Sequence, residues 1–341
     1  MSVPVHDLPL SMKTCIVGAG AIGGFLGTRL AAAGVPTSAL ARGATLTALN
    51  AHGWRLDSAD ASLRTQAPVA AASDRAEALG VQDLVILAVK AQALPALAPQ
   101  LAALIGPDTV VLTMMNGVPW WFCADHAQVP GGRLESVDPG GVIAAALPVA
   151  QVLGGVVHAS AATSEPGRVQ HRMGRGLIVG EPAGGLSARA EAVGALLRQA
   201  GFDTTVSGNL RRELWYKLWG NLTMNPVSAL TGATIDQVLA DPLVREFCSR
   251  AMREAALIGE RIGCPIDQGP EERHAVTARL GAFRTSMLQD VDAGRPIELD
   301  AIVGAVREIG GHVGVATPSI DALLGLARLF ARQRGLYQAA A

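Results

Sequence analysis

Lysine is nearly missing from this sequence. Of 28 basic residues only Lys13, Lys90 and Lys217 are lysines, and asparagine occurs only at Asn50, Asn116, Asn209, Asn221 and Asn225. Arginine and alanine are abundant instead, as in a chain encoded by GC-rich DNA, so lysine and asparagine found together point to chemistry. An excess of either charge is also lacking. The formal net charge is −1, which excludes the basic surplus of a nucleic-acid binder. The opening residues have no cationic start followed by an apolar run, and so no signal peptide is read there. No apolar stretch reaches membrane-spanning length unbroken. The nearest, residues 140–162, is interrupted by Pro148, Gln151, His158 and two glycine pairs, and is read as buried strands without a membrane partner. Cysteine is scarce: Cys15, Cys123, Cys248 and Cys264 have neither CxxC nor metal-ligand spacing. No metal site is expected from them, and free thiols of a cytoplasmic protein are.

What is present fits two domains. The 341 residues are half apolar, enough for sizeable cores. "KTCIVGAGAIGGFLGTRLAAAG" reads as strand, glycine turn and helix, and "VPTSALAR" as a second strand. "DLVILAVK" and "TVVLTMMNG" are continuous apolar runs, the pattern of strands buried on both faces of a parallel sheet. "AQALPALAPQLAALIG" between them reads as helix. Further strands are expected between Gly140 and Gly180, then a helix over 187–200 and a strand over 202–206. From Leu210 onward nearly everything reads as helix, with breaks at prolines including Pro226 and Pro242. The expected fold class is therefore α/β: a Rossmann-type doubly wound sheet over 13–207, then an all-helical domain over 208–341. Residues 1–12 are expected to be a flexible N-terminus.

The glycines at 18, 20 and 23 match G-x-G-x-x-G. The motif follows a strand, opens a helix and lies in the first βαβ unit, which is the context dinucleotide binding requires. Backbone N–H groups from Gly18, Ala19, Gly20, Ala21, Ile22 and Gly23 would approach a pyrophosphate at the positive end of that helix. An NAD-binding second strand usually ends in an acid that takes the ribose 2′-hydroxyl. Here it ends in Arg42, suited to a 2′-phosphate, so NADP(H) is the expected cofactor. Lys90 and Asn116 follow apolar strands at the carboxyl edge, where ligands collect in such sheets.

In "ELWYKLWGNLTMNPVSAL", Lys217, Asn221 and Asn225 recur every four residues and so share one helical stripe. Burying an amine and two amides without partners costs a few kcal/mol each, roughly. Their partners are either other side chains or a bound molecule.

Taken in order, the glycine loop, "VK", "MNG", "SEPGRVQH", "KLWGNLTMNP" and "TSMLQDVDAGRPIELDAI" resemble the ketopantoate reductase (2-dehydropantoate 2-reductase) family over about Lys13 to Phe330. The resemblance implies NADPH-dependent reduction of a 2-oxo acid, foremost ketopantoate to pantoate in pantothenate biosynthesis. It implies that Lys217 is the general acid, with Glu298 beside it to orient it and set its affinity for protons. Asn221, Asn225 and Ser286 would bind substrate, with Met287, Leu288 and Gln289 alongside. The loop of 18–23, Arg42, Lys90 and Asn116 would contact the cofactor, as would the backbone of Ala161. Where some members have another asparagine, this chain has Thr234 and Ile235, which bears on substrate specificity. The site is expected in a cleft between the domains, and the helical domain could support a homodimer. Two rival readings are a reductase or dehydrogenase of another 2-oxo or hydroxy acid on the same frame, and a non-catalytic NADP(H) sensor, which would not need Lys217.

Overall fold

The computed structural model describes residues 12–337. The expectation for the N-terminus therefore falls, but for Met12, outside the described residues. Two compact units emerge. One takes in the described residues up to Met115 together with Val142–Leu210; the other takes in Asn116–Gly141 and Arg211 onward.

The first unit is built on β1 (Thr14–Val17), helix α1 (Ala21–Ala32), β2 (Thr37–Leu40) and helix α2 (Gly43–His52). The strands β3 (Trp54–Asp57), β4 (Thr65–Ala67), β5 (Ala72–Ser73), β6 (Gln82–Leu87) and β7 (Ile105–Thr113) follow. Between β6 and β7 the expected helix is mostly 3₁₀: only α3 (Leu94–Leu97) is α-helical, flanked by 3₁₀ turns over Ala91–Ala93 and Ala98–Leu104. Pro95 and Pro99, one turn apart, each remove a backbone N–H that an α-helix would use. A short helix α4 (Val142–Ala146) stands where strand was expected. Then come the long hairpin of β8 (Val152–Glu165) and β9 (Arg168–Gly180), helix α5 (Ala188–Gln199) and β10 (Asp203–Val206).

Six strands pair all-parallel in the order β5-β2-β1-β6-β7-β8. That is the doubly wound dinucleotide-binding order, whose switch point lies between β1 and β6. The other half is mixed: β9 runs antiparallel to β8, β3 parallel to β9, and β4 antiparallel to β3. This half folds onto α1. The Trp54 ring of β3 lies against Gly27 of α1, Val169 of β9 against Gly24, and His171 of β9 against the Phe25 ring at 5.0 Å. His171 also hydrogen-bonds to Ser58 Oγ at 3.1 Å and to the Gly174 carbonyl at 2.8 Å, a structural role.

Gly27 has no substitute here. A Cβ at that position would sit 2.6 Å from the Trp54 ring, whose indole N–H is anchored on the Thr37 carbonyl at 3.2 Å. Gly27→Ala should therefore destabilise the protein by about 1–3 kcal/mol, despite a gain in helix propensity of about 1 kcal/mol. Urea denaturation reads this as a lower midpoint at constant slope; an unchanged midpoint would mean that the ring can shift.

The second unit is helical: α6 (Leu210–Thr231), α7 (Ile235–Ala240), α8 (Pro242–Arg261), α9 (Pro270–Ala278), α10 (Ser286–Asp292), α11 (Ala305–His312) and α12 (Pro318–Gln333). A π-helical turn over Asp300–Gly304 leads into α11. Pro226 does not break α6 as expected; it lies inside it. Packing around it explains this, since Met224 and Val227 on either side share a core with Cys248 and Leu323. Trp215 and Trp219 of α6 donate indole N–H bonds to the Ala255 and Met252 carbonyls of α8. No helix of the described residues is long and apolar enough to cross a membrane.

Residues 116–141 join the helical unit rather than the sheet that precedes them. The Val118 N–H donates to the Ala301 carbonyl at 2.8 Å, on the π-helical turn. Gly117, at φ +81°, passes so close that a Cβ would lie 2.6 Å from the same oxygen. Glu308 of α11 accepts the N–H groups of Glu135 and Ser136 at 2.7 and 2.8 Å. Phe122 stacks on Trp215 at 5.8 Å. The four cysteines are free and buried. Burial pushes the thiols of Cys15 and Cys123 up to about 12 and that of Cys248 up to about 11, which leaves them unreactive.

Candidate functional site

In the sheet unit, Gly18 follows β1 directly at φ +92°, and a Cβ there would strike Val89 and the Ala88 carbonyl. A Cβ at Gly23 would lie 2.0 Å from the Gly18 carbonyl. Gly20 is the N-cap of α1; it is exposed, has open space where a side chain would stand, and receives no side-chain cap. Ala21 and Ile22 complete the half-exposed first turn, and Ala19 is buried beneath it. Two glycines are thus required for the turn to close, while the third keeps a helix N-terminus bare. That is a cradle for an anion. Arg42 is exposed at the N-cap of α2, just past β2, and among the described residues no carboxylate pairs with it. Lys90 stands three residues past β6, at the head of a 3₁₀ turn. Ala161 lies on β8 opposite His171 and packs against the core that holds α1.

In the helical unit, the lysine stripe acquires a partner. Lys217 Nζ donates to Asn116 Oδ1 at 3.0 Å. The two are 101 residues apart in sequence, and the docking of 116–118 on the π-helical turn brings them together. Burial lowers the Lys217 ammonium from its ordinary 10.5 to about 8, and the charge of Glu298 opposes that fall. Glu298 itself is only 8% exposed, immediately before the helical turn that receives Val118. Asn116, expected at the cofactor, is thus the hydrogen-bond partner of the lysine. Glu298, expected to orient the lysine, acts on it through charge.

Asn221 is half-buried and Asn225 only 6% exposed. Among the described residues neither amide has a hydrogen-bond partner. The stripe therefore presents one oriented amine and two amides with donors and acceptors to spare.

The 286–289 block divides. Ser286 is exposed at the first position of α10, whose N-cap is Thr285. Met287 and Leu288, expected alongside the substrate, are 2% and 1% exposed, with their side chains buried. The Leu288 N–H is already taken by Thr285 Oγ1 at 3.1 Å. Gln289 spends its amide N–H on the Arg284 carbonyl at 2.8 Å. Thr234, where some relatives of this pattern have an asparagine, caps α7 together with Gln237.

Comparison with known proteins follows the same lines. A family model described as "Ketopantoate reductase PanE/ApbA" matches residues 14–184, and its companion, "Ketopantoate reductase PanE/ApbA C terminal", matches 209–331. The chain is similar to a 2-dehydropantoate 2-reductase of Mesorhizobium japonicum, 44% identical over 96% of this chain and all of that one. It is 28% identical to the enzyme of the same name from Halobacterium salinarum, over 94% of this chain and 99% of the other. Among solved structures, one from Ralstonia solanacearum, named as a candidate ketopantoate reductase, superposes with a TM-score of 0.91. It is 56% identical and covers 96% of this chain and all of that one.

Proposed function

From the premise that the chain belongs to the ketopantoate reductase PanE/ApbA family, nicotinamide-dependent oxidoreductases acting on CH–OH groups, we propose that it reduces ketopantoate to pantoate with NADPH. The observation that carries this reading is the lysine stripe. A half-buried ammonium held by an amide oxygen at 3.0 Å stands on the same helical stripe as two amides that have no hydrogen-bond partner among the described residues.

The chemistry follows from those groups. The dinucleotide, when bound, supplies a hydride to the carbonyl carbon. Lys217 donates its proton to the carbonyl oxygen and, before that, stabilises the negative charge developing there. An amine titrating near 8 is mostly protonated at neutral pH and still acidic enough to give the proton up. Asn116 fixes the direction of the ammonium, so that less freedom is lost when substrate arrives. Asn221 and Asn225 offer N–H donors and carbonyl acceptors to the substrate's hydroxyl and carboxylate oxygens. Ser286 adds a hydroxyl at a helix start, suited to the carboxylate. The glycine loop fits a pyrophosphate, and Arg42 fits a 2′-phosphate by its charge and by having no acidic partner among the described residues.

NADPH oxidation followed with ketopantoate and a panel of other 2-oxo acids tests the substrate. Ketopantoate should give the highest kcat/KM; a higher value for another 2-oxo acid would reassign it. For the cofactor, Arg42→Ala should raise the NADPH dissociation constant about tenfold and leave that of NADH unchanged. Tighter binding of NADH than NADPH by the unaltered protein would refute the NADPH preference.

A further inference from the structure

We propose that Arg75 is a second guanidinium for the 2′-phosphate of the dinucleotide, set beside Arg42 by the pairing of β2 with β5. The proposal rests on the NADPH reading above and adds a residue to it. The two strands are parallel, with Ala39 opposite Ala72 and Leu40 opposite Ser73. Their carboxyl ends are locked: the Ala39 N–H donates to the Ala71 carbonyl at 2.8 Å and the Ala41 N–H to the Ser73 carbonyl at 2.9 Å.

Arg42 lies two residues past Leu40, and Arg75 two residues past Ser73. Because the strands are in register, the two arginines leave the sheet at the same level. Neighbouring strands are about 4.8 Å apart, so a single phosphate can be reached from both. The backbone of each is extended, with φ −138° at Arg42 and −118° at Arg75. The Arg75 N–H donates to Ser73 Oγ at 3.0 Å, which holds the turn that presents it.

Both side chains are available. Arg42 is exposed, and among the described residues it has no ion pair. Arg75 has one, with Glu77 at 3.9 Å, but the two side chains are 75% and 65% exposed. A pair so open to water contributes little and is readily exchanged for a better anion. Asp74 and Glu77 are the acids of this loop, and both are exposed. With Arg42 alone the loop would carry more negative than positive charge. With Arg75 it is balanced before a phosphate arrives. A phosphomonoester presents nearly two charges and three oxygens, more than one guanidinium fork engages. The ribose of NADH has only a hydroxyl at that place, so Arg75 contributes to NADPH binding alone.

The test is a titration of the full-length protein with NADPH and with NADH, for wild type, Arg42→Ala, Arg75→Ala and Arg75→Lys. Arg75→Ala should raise the NADPH dissociation constant about fivefold to tenfold and leave NADH within about twofold. Arg75→Lys should fall between, with charge restored and the fork lost. The salt dependence of NADPH binding should flatten in the alanine variant. If Arg42→Ala weakens NADPH binding and Arg75→Ala does not, the role of Arg75 is overturned while the NADPH reading stands. If neither variant affects NADPH binding, both fall together. Equal loss for NADPH and NADH would place Arg75 against a part common to both cofactors and also overturn the proposal.

Discussion

Replacing Lys217 with alanine should lower turnover of a 2-oxo acid by about three orders of magnitude or more, while the NADPH dissociation constant stays within about twofold. Two losses combine. The carbonyl oxygen loses its proton donor, and the developing alkoxide loses a half-buried positive charge. A non-catalytic NADP(H) sensor would show no such fall, so unchanged turnover would remove Lys217 from the mechanism. The variant also separates catalysis from folding. In the unfolded chain the amine titrates at its ordinary 10.5, and in the folded protein at about 8. Between those values the unfolded state binds more protons, so stability rises with pH across that window. Below about 8 the folded protein carries the full cost of a charged, desolvated amine, up to about 3 kcal/mol. A Lys217→Met variant should therefore be inactive and at least as resistant to denaturant at pH 7 as its parent. Inactivity accompanied by unfolding would undercut this account. For the unaltered enzyme, kcat/KM should fall as pH rises through about 8, where the acid loses its proton.

How far the chain could be read before its fold was known depends on whether each signal is local. The glycine loop is local: Gly18 needs a positive φ and Gly23 needs close contact with the Gly18 carbonyl, and both demands are met within six residues. The parallel runs were equally clear, since burial on both faces leaves no polar alternation to confuse them. The Lys217, Asn221 and Asn225 stripe is local too, because helical periodicity alone aligns it. Asn116 is the contrary case. Its "MNG" context says only that a strand ends. Its attachment to the helical unit depends on the Ala301 carbonyl, 183 positions beyond Val118, and on the room left by Gly117. Nothing near Asn116 in sequence carries that information, although the glycine beside it hints that something passes close. The burial of Met287 and Leu288 is illegible for a different reason. They stand in one block with Ser286, but adjacent helical residues point 100° apart, so Ser286 can face solvent while the next two are buried. Pro226 misled because a proline's cost inside a helix can be offset by packing, and the Met224 and Val227 contacts are tertiary.

Glu298 completes the argument about the amine. Burial alone would take the Lys217 ammonium lower than about 8, and the carboxylate holds it up. With Glu298→Gln the side chain keeps its size and loses its charge, so the lysine should release its proton at lower pH. For a carboxylate whose charge reaches an amine in a partly buried setting, the displacement is on the order of one to two pH units. The alkaline limb of kcat/KM then moves downward by that amount. At pH 9, above both limbs, the variant should be about tenfold to a hundredfold slower than the parent. Towards pH 6 the two rates should converge, because acid restores the ammonium in both. That convergence separates a charge effect from a merely structural one, which would lower the rate by the same factor at every pH. Glu298→Asp, with charge retained on a shorter arm, should return part of the shift. A limb that stays in place in the glutamine variant would mean that Glu298 does not govern the proton on Lys217, and the protonation of the amine would need another source.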